Sequence, residues 1–375
     1  MEQQIKYDEG KIKTLEWWEH IRLRPGMYIG KLGDGSYADD GIYVLLKEVM
    51  DNAIDEYMMG FGKHIDITVD NGVVTVRDYG RGIPLKSVVD ASSKMNTGGK
   101  YDSEAFKKSV GMNGVGIKAV NALSSYMLVQ SFRDGQTKAV EYSRAKITEN
   151  PEITKSAEPN GTLINFIPDE QIFKHFHFQD QYVEPLLKNY VFLNAGLTIH
   201  YNGKKFFSKN GLEDLLNEKM TSESLYPIIR LQGNDIEVAV THSDQYGEEF
   251  YSFVNGQFTT QGGTHLSAFK ETISRVIKEY YNKNFEYSDI RMGITAAIAI
   301  KVHEPVFESQ TKTKLGSKDI GPEGPTVSKF IGDFIKKELD NFLHKNPEIS
   351  DTLLKKITES EKERKAIAGV TKLAK

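Results

Sequence analysis

The sequence predicts an α/β (α+β) fold in two domains, on three observations. The chain has 375 residues, more than one typical domain of ~100–200 residues holds. Helical patterns alternate with β-branched runs along it. The texture then shifts around residues 205–226, where a short helical stretch, Leu212–Lys219, leads into Tyr226-Pro227. These place an N-terminal arm at 1–14, a first domain over 15–225 and a smaller second domain over 226–375.

The elements follow in order. The segment through Lys13 is polar, with isolated apolar residues at Ile5, Tyr7 and Ile12, so it is either a frayed tail or an arm that docks elsewhere. Leu15–Ile21 reads as a short helix closed by the turn Arg24-Pro25-Gly26. Ile42–Met59 is a helix with an unusual pattern: nearly every position is apolar, while Glu48, Asp51, Asn52, Asp55 and Glu56 fall at i, i+3, i+4, i+7 and i+8. A solvated face would be wider and mix both charge signs, so a narrow acidic stripe better suits a wet pocket holding a cation. His64–Asp70 and Val73–Asp78, joined by Asn71-Gly72, form a β-hairpin. Residues 85–116 are polar and weakly periodic, a length that is usually functional and often a lid. Helix resumes at Ile117–Leu123, and strands at Met127–Phe132 and Gly161–Ile167. Beyond the boundary come strands at Ile236–Thr241 and Glu249–Val254, a helix at Ser267–Tyr281 and an apolar strand at Gly293–Val302. Two charged amphipathic helices close the chain, broken at Asn346-Pro347, and no stop signal ends them, as if the natural polypeptide continues.

Composition excludes several chemistries. There is no cysteine, hence no disulfide, thiolate nucleophile, iron-sulfur cluster or cysteine zinc site. Lys+Arg 48 against Asp+Glu 52 gives a formal charge of −4, which argues against whole-surface nucleic-acid binding but permits a local basic patch. No apolar run reaches the ~20 residues of a membrane span, and the N-terminus lacks a signal-peptide core. The chain reads as soluble, intracellular and without a membrane partner.

Gly111-Met112-Asn113-Gly114-Val115-Gly116 opens onto the helix at Ile117. Such backbone amides at a helix N-terminus suit phosphate; equally, the run is a tight loop needing positive φ. It lacks the spacing of a Walker A loop or a dinucleotide fingerprint. Glu48 and Asn52 lie one helical turn apart, so a carboxylate could orient and deprotonate a water while an amide oxygen holds Mg²⁺. Asp78, at a strand end among glycines, could accept a hydrogen bond from an exocyclic amine; alone, it is as readily a turn former.

In this order, Glu48-Val-Met-Asp-Asn52, Asp78-Tyr-Gly-Arg-Gly-Ile-Pro84, Gly111 to Gly116 and Gly161-Thr162 resemble the four nucleotide-binding motifs of gyrase, Hsp90, histidine kinases and MutL, the GHKL ATPases with their Bergerat-type α/β sandwich. Arg24-Pro-Gly-Met-Tyr-Ile-Gly30, Gly262-Gly-Thr-His265 and Gln310-Thr-Lys-Thr-Lys-Leu-Gly316 narrow the resemblance to the ATPase region of bacterial type IIA topoisomerases, from Tyr7 almost to the C-terminus. The B subunit of gyrase or of topoisomerase IV fits, with topoisomerase IV favoured by the look of Gly41–Glu48 and Asn113.

The resemblance implies ATP and Mg²⁺ as cofactors, with Glu48 as general base and Asn52 as the metal ligand. Asp78 and Thr162 would bind the adenine amine, with Gly82, Ile83 and Pro84 lining the base pocket and Arg81 pairing with Glu56 at its mouth. Gly111, Met112, Asn113, Gly114, Val115, Gly116 and Ile117 would wrap the phosphates, with Lys100 and Lys107 nearby. Gln310 and Lys312 would reach the γ-phosphate from a second, transducer domain, and Tyr7 the partner's nucleotide site. It further implies a cytoplasmic, nucleoid-associated protein that forms a homodimer on binding ATP, clamps a DNA duplex and works with the DNA-cleaving A subunit in an A2B2 tetramer. This chain itself would not cut DNA. Three residues depart from the family pattern: Asn113 stands for a usual His, Phe106 for a lid tyrosine and Ala139 for an arginine bordering the adenine pocket. The alternative is a nucleotide-gated clamp of the MutL or chaperone type; the resemblance implies that topoisomerases and MutL share a lysine loop like Gln310–Lys312 from the following domain, which Hsp90 and histidine kinases lack.

Overall fold

The computed structural model describes residues 14–98 and 114–373; Tyr7, Lys100, Phe106, Lys107, Gly111, Met112 and Asn113 lie outside them. The protein is a mixed α/β chain that divides into two compact units. The first takes in the described residues up to 183 together with 201–203, and the second 184–200 and everything from 204 on.

The first unit begins with α1 (Trp17–Leu23), α2 (Gly26–Ile29) and α3 (Gly41–Met58), followed by β1 (His64–Asp70), β2 (Val73–Asp78), α4 (Val88–Ser93) and α5 (Gly116–Ala122). Then come β3 (Ser124–Arg133), β4 (Gln136–Ser143), β5 (Lys146–Glu149), β6 (Thr154–Lys155) and β7 (Gly161–Pro168). Their strands run in the order β5-β4-β3-β7-β2-β1, with β6 beside β4, and these pairings are antiparallel. Asn71 and Gly72 both take positive φ, 48° and 80°, the turn whose twist matches flanking strands. Asp70 therefore faces Val73 and Ile65 faces Asp78. This register sends Ile65, Ile67, Val74 and Val76 inward and ends β2 on Asp78.

Helix α3 packs on β2, β7 and α5. Ile42, Leu45, Leu46, Val49, Met50 and Ile54 are at most 1% exposed, and their burial contributes roughly 10 kcal/mol. That is large enough to offset polar groups on the same helix. The acidic stripe is not one wet face, however. Glu48, Asn52 and Glu56 follow one row at a spacing of four, whereas Asp51 and Asp55 are almost wholly excluded from solvent.

The chain continues through α6 (Asp180–Leu193), β8 (Thr198–Tyr201) and β9 (Lys204–Phe207). The rest of the second unit comprises α7 (Leu212–Lys219), β10 (Ile229–Gly233), β11 (Ile236–His242), β12 (Glu249–Val254), β13 (Gln257–Phe258), α8 (Thr264–Tyr281), α9 (Tyr287–Arg291), β14 (Ile294–Ile300), α10 (Val327–Lys345) and α11 (Pro347–Leu373). Its sheet has the order β10-β11-β14-β12-β13. β12 and β14 are parallel, which requires a crossover, and α8 and α9 supply it. β14 is buried at six of its seven residues, as an apolar run covered on both faces should be. Thr326 caps α10, its hydroxyl accepting from the Lys329 N–H at 3.1 Å, and Pro347 opens α11 because it needs no N–H there.

Two parts of the sequence reading change. Residues 88–93, read as weakly periodic, form α4, whose buried faces are only Val88 and Ser92, too few to show a helical period. The first helix runs two residues later than expected, to Leu23, and a further turn of helix follows at Gly26–Ile29. Among the described residues no helix is long and apolar enough to cross a membrane.

Candidate functional site

The residues singled out in the first unit gather around α3, the end of β2 and the start of β7. Asp78 is buried, and its Oδ1 accepts from the backbone N–H of Gly80 at 2.9 Å and of Thr162 at 3.2 Å. One oxygen is thus committed to two backbone donors of the protein. Burial pushes the carboxyl up to about 6, and the nearby Glu56 adds to the rise, while the two backbone donors and Arg77 act the other way. Thr162 is buried beside it.

Glycines permit this closeness. A Cβ at Gly80 would lie 2.7 Å from that of Glu56, and one at Gly82, whose φ is +77°, would lie 2.5 Å from the Phe132 carbonyl. The Gly82-Ile83-Pro84 segment is held by the Ser131 hydroxyl, which donates to the Ile83 carbonyl at 2.6 Å, and by the Arg133 guanidinium, which donates to that of Gly82 at 3.1 Å. Arg81 clamps Glu56 in a bidentate pair, Nη2 to Oε1 at 2.8 Å and Nε to Oε2 at 3.1 Å, and stacks over Phe61 at 4.6 Å. The hydrogen bonds to Glu56 push its guanidinium pKa up further.

One and two turns earlier on α3 stand Asn52 and Glu48. The Asn52 amide nitrogen donates to the Glu48 carbonyl at 3.1 Å, so its oxygen is the atom with metal-ligand chemistry. Glu48 is 8% exposed, and its carboxylate makes no hydrogen bond or ion pair among the described residues. It lies against the start of α5: a Cβ on Gly116 would come within 1.9 Å of its Oε2. Gly114, with φ +59°, and Val115 lead into Gly116 and Ile117 at that helix start.

Among the described residues no group of three or more His, Cys, Asp or Glu could hold a metal ion. This donor set suits Mg²⁺ rather than a caged metal, because Mg²⁺ keeps most of its waters and takes few protein ligands besides substrate phosphates. The Asn52 amide oxygen has the chemistry such a site would use.

In the second unit, Lys312 is 8% exposed and takes a left-handed φ of 57°, its N–H donating to the Ser309 carbonyl at 3.0 Å. Gln310 is half-buried. Their loop is held by the Gly262-Gly263-Thr264 segment: Gln261 N–H donates to Thr313, Leu315 N–H to Gly262 and Thr264 N–H to Leu315, at 2.9, 3.1 and 3.2 Å. A Cβ on Gly263 would sit 2.3 Å from the Leu315 carbonyl oxygen, which explains why this motif needs glycine. His265 behind it is fully buried and near Thr259 Oγ1, at 3.0 Å, and burial lowers its pKa to about 4, keeping the ring neutral.

Sequence reasoning missed the groups that hold these segments: Arg77, Ser131, Arg133 and the buried Lys118, whose ammonium donates to the Thr97 carbonyl at 2.6 Å. The hairpin register is the one signal that could have found Arg77, since it places that residue in the strand next to Asp78.

The DNA gyrase B family matches residues 181–371, and the family of histidine kinase-, DNA gyrase B- and HSP90-like ATPases matches residues 38–171. The chain is 45% identical over 370 residues to the B subunit of DNA topoisomerase 4 from Borreliella burgdorferi, covering 98% of this chain and 60% of that protein. It is 35% identical over 391 residues to the B subunit of DNA gyrase from Helicobacter pylori, covering 96% of this chain and 49% of that one. The solved 43K ATPase domain of Thermus thermophilus gyrase B, in complex with an aminocoumarin, superposes with a TM-score of 0.72 at 28% identity, covering 95% of this chain and 98% of that one. The chain thus spans 49% to 60% of the length of these two curated relatives.

Proposed function

The chain belongs to the DNA gyrase B family, and on that premise we propose that it is the Mg²⁺-dependent, ATP-hydrolysing clamp of a bacterial type II DNA topoisomerase, topoisomerase IV rather than gyrase. The observation that carries the ATP reading is Asp78. Its Oδ1 is held by the Gly80 and Thr162 amides, so its other oxygen accepts the adenine amine. The greater identity to the Borreliella topoisomerase 4 protein, 45% against 35% for the Helicobacter gyrase protein, supports the choice of enzyme.

Glu48 orients the attacking water and takes its proton late, as a carboxylate can in a loose phosphoryl transfer. The Asn52 oxygen would hold Mg²⁺, which would supply charge neutralisation at the phosphates. The amides of residues 111–117 cradle the phosphates, with Lys100 and Lys107 beside them, and Gln310 and Lys312 engage the terminal phosphate. Ile83 and Pro84 flank the base. Tyr7 belongs to the arm that joins two copies when ATP binds. The homodimer closes on a DNA duplex and, with the DNA-cleaving A subunit in an A2B2 assembly in the bacterial cytoplasm, passes it through a second duplex.

Phosphate release from ATP by the purified chain, with and without Mg²⁺, tests the ATPase reading. Mg²⁺-dependent release is expected; tight ATP binding with no release at any Mg²⁺ concentration would favour a nucleotide-gated clamp instead. With the full-length protein and its DNA-cleaving partner, relaxation and decatenation without negative supercoiling is the outcome for topoisomerase IV, and introduction of negative supercoils would reassign it as gyrase.

A further inference from the structure

Behind Asp78, on the same strand, Arg77 is 7% exposed. Its Cζ lies 4.5 Å from the ring centroid of Tyr79 and 4.5 Å from that of Phe132. Tyr79 in turn stacks on His64 at 4.1 Å and donates its hydroxyl to Asp66 at 2.7 Å. This array fixes the guanidinium, and its donors go to two carbonyls: Nη1 to that of Asp78 and Nη2 to that of Pro159, the latter at 2.6 Å. Gly161, at φ +141°, makes room for it, since a Cβ there would lie 2.3 Å from Nη1 and 2.1 Å from the Asp78 carbonyl oxygen.

The two carbonyls belong to the two segments that orient the Asp78 carboxylate. Gly80 N–H comes from the segment after Asp78, and Thr162 N–H from the segment after Pro159. A single planar fork therefore sets the distance between the donors on either side of the carboxylate. Lysine could not do this, because one ammonium does not reproduce a fork of fixed geometry.

We propose that Arg77 is a positioning residue for base recognition, acting through Asp78 by holding the 78–80 and 159–162 segments in register. The inference rests on the ATP reading above. Arg77 touches neither nucleotide nor phosphate in this account, so its removal should weaken adenine binding and leave the phosphate end of the site as it was.

The test compares wild type, Arg77→Met and Arg77→Lys in steady-state ATP hydrolysis, with inorganic triphosphate as a competitive probe that has no base. The expected result is a KM for ATP raised at least tenfold in Arg77→Met, partly restored in Arg77→Lys, with kcat at saturation within twofold of wild type. The inhibition constant for triphosphate and the rate on GTP should be unchanged, so that the ATP-to-GTP preference falls. A general loss of folded protein would lower kcat and leave both KM and base preference intact, and that pattern would overturn the proposal. So would a KM for ATP unchanged in both variants. Should Arg77→Met fail to fold, Arg77→Lys and Phe132→Leu, which removes one stacking ring but no donor, must each raise the KM for ATP relative to triphosphate inhibition; no rise in either overturns it. If wild type itself neither binds nor hydrolyses ATP, the ATP reading fails, and this outcome is separate from those of the variants.

Discussion

Glu48 and Glu56 occupy the two ends of one polar row on α3, eight residues apart, and the structure uses them in opposite ways. Glu56 is spent: Arg81 takes both of its oxygens, and a backbone N–H donates to one of them as well, at 2.9 Å. Glu48 is buried without any such partner among the described residues, pressed against a glycine that leaves just enough room for it. The same side chain on the same helix is thus a structural clamp at one end and, in the proposed function, the general base at the other. What decides is the neighbour, an arginine or a helix start, and not the acid.

The comparison can be broken most severely at Gly116. Gly116→Val places side-chain atoms where Oε2 of Glu48 now lies, and a displacement on the order of 1 Å costs roughly 100-fold in rate. Turnover in Gly116→Val should fall by about that factor, read by phosphate release at saturating ATP.

Asp78→Asn comes next. The asparagine oxygen keeps the Gly80 and Thr162 donors, which turns its NH₂ toward the adenine amine and sets donor against donor. The KM for ATP should rise roughly tenfold to 100-fold, the scale of a lost hydrogen bond to a charged group. Without ligand, the same variant should be more stable than wild type at neutral pH. The folded carboxyl, at about 6, lies above its ordinary value of 3.8, so the folded state binds the extra proton and loses stability as pH rises from about 4 through about 6. At pH 7 this costs ~1–3 kcal/mol, and a melting curve against pH should show the difference between the two proteins vanish below pH 4. ATP affinity runs the other way in wild type, falling as pH drops below about 6 because a protonated Asp78 no longer accepts on both oxygens.

The smallest effect belongs to the clamp. Arg81→Met removes a pair that is 34% and 21% exposed, and partly solvated pairs contribute little. Its stability should drop by less than about 1 kcal/mol, measured by denaturant unfolding, with a modest rise in the KM for ATP.

Much of this was legible in the residues. The Asn71-Gly72 turn fixed the hairpin register, and with it the place of Asp78, because only one two-residue turn suits such a pair. Helix α3 announced itself by apolar density, and α7, Leu212–Lys219, falls where its pattern put it. The sequence reading assigned no element to 180–193, where α6 carries Pro185 inside the helix, a residue that ordinarily ends one. It also could not separate Asp51 and Asp55 from Glu48 and Glu56, since a period of 3.6 puts all four near one stripe and only the packing of α3 decides which of them meets solvent. Arg77 was invisible for a further reason. A charged residue in an alternating strand reads as solvent-facing, and its burial depends on Tyr79, Phe132 and the Pro159 carbonyl, the last of which is 82 residues away in sequence.

The division of labour along α3 is tested most directly by Glu48→Ala, with ATP binding and turnover measured on the same preparation. Wild-type ATP affinity with turnover abolished is the predicted result, because the hydrogen bonds that hold Asp78 come from Gly80 and Thr162 and not from Glu48. Turnover at the wild-type rate would contradict the account.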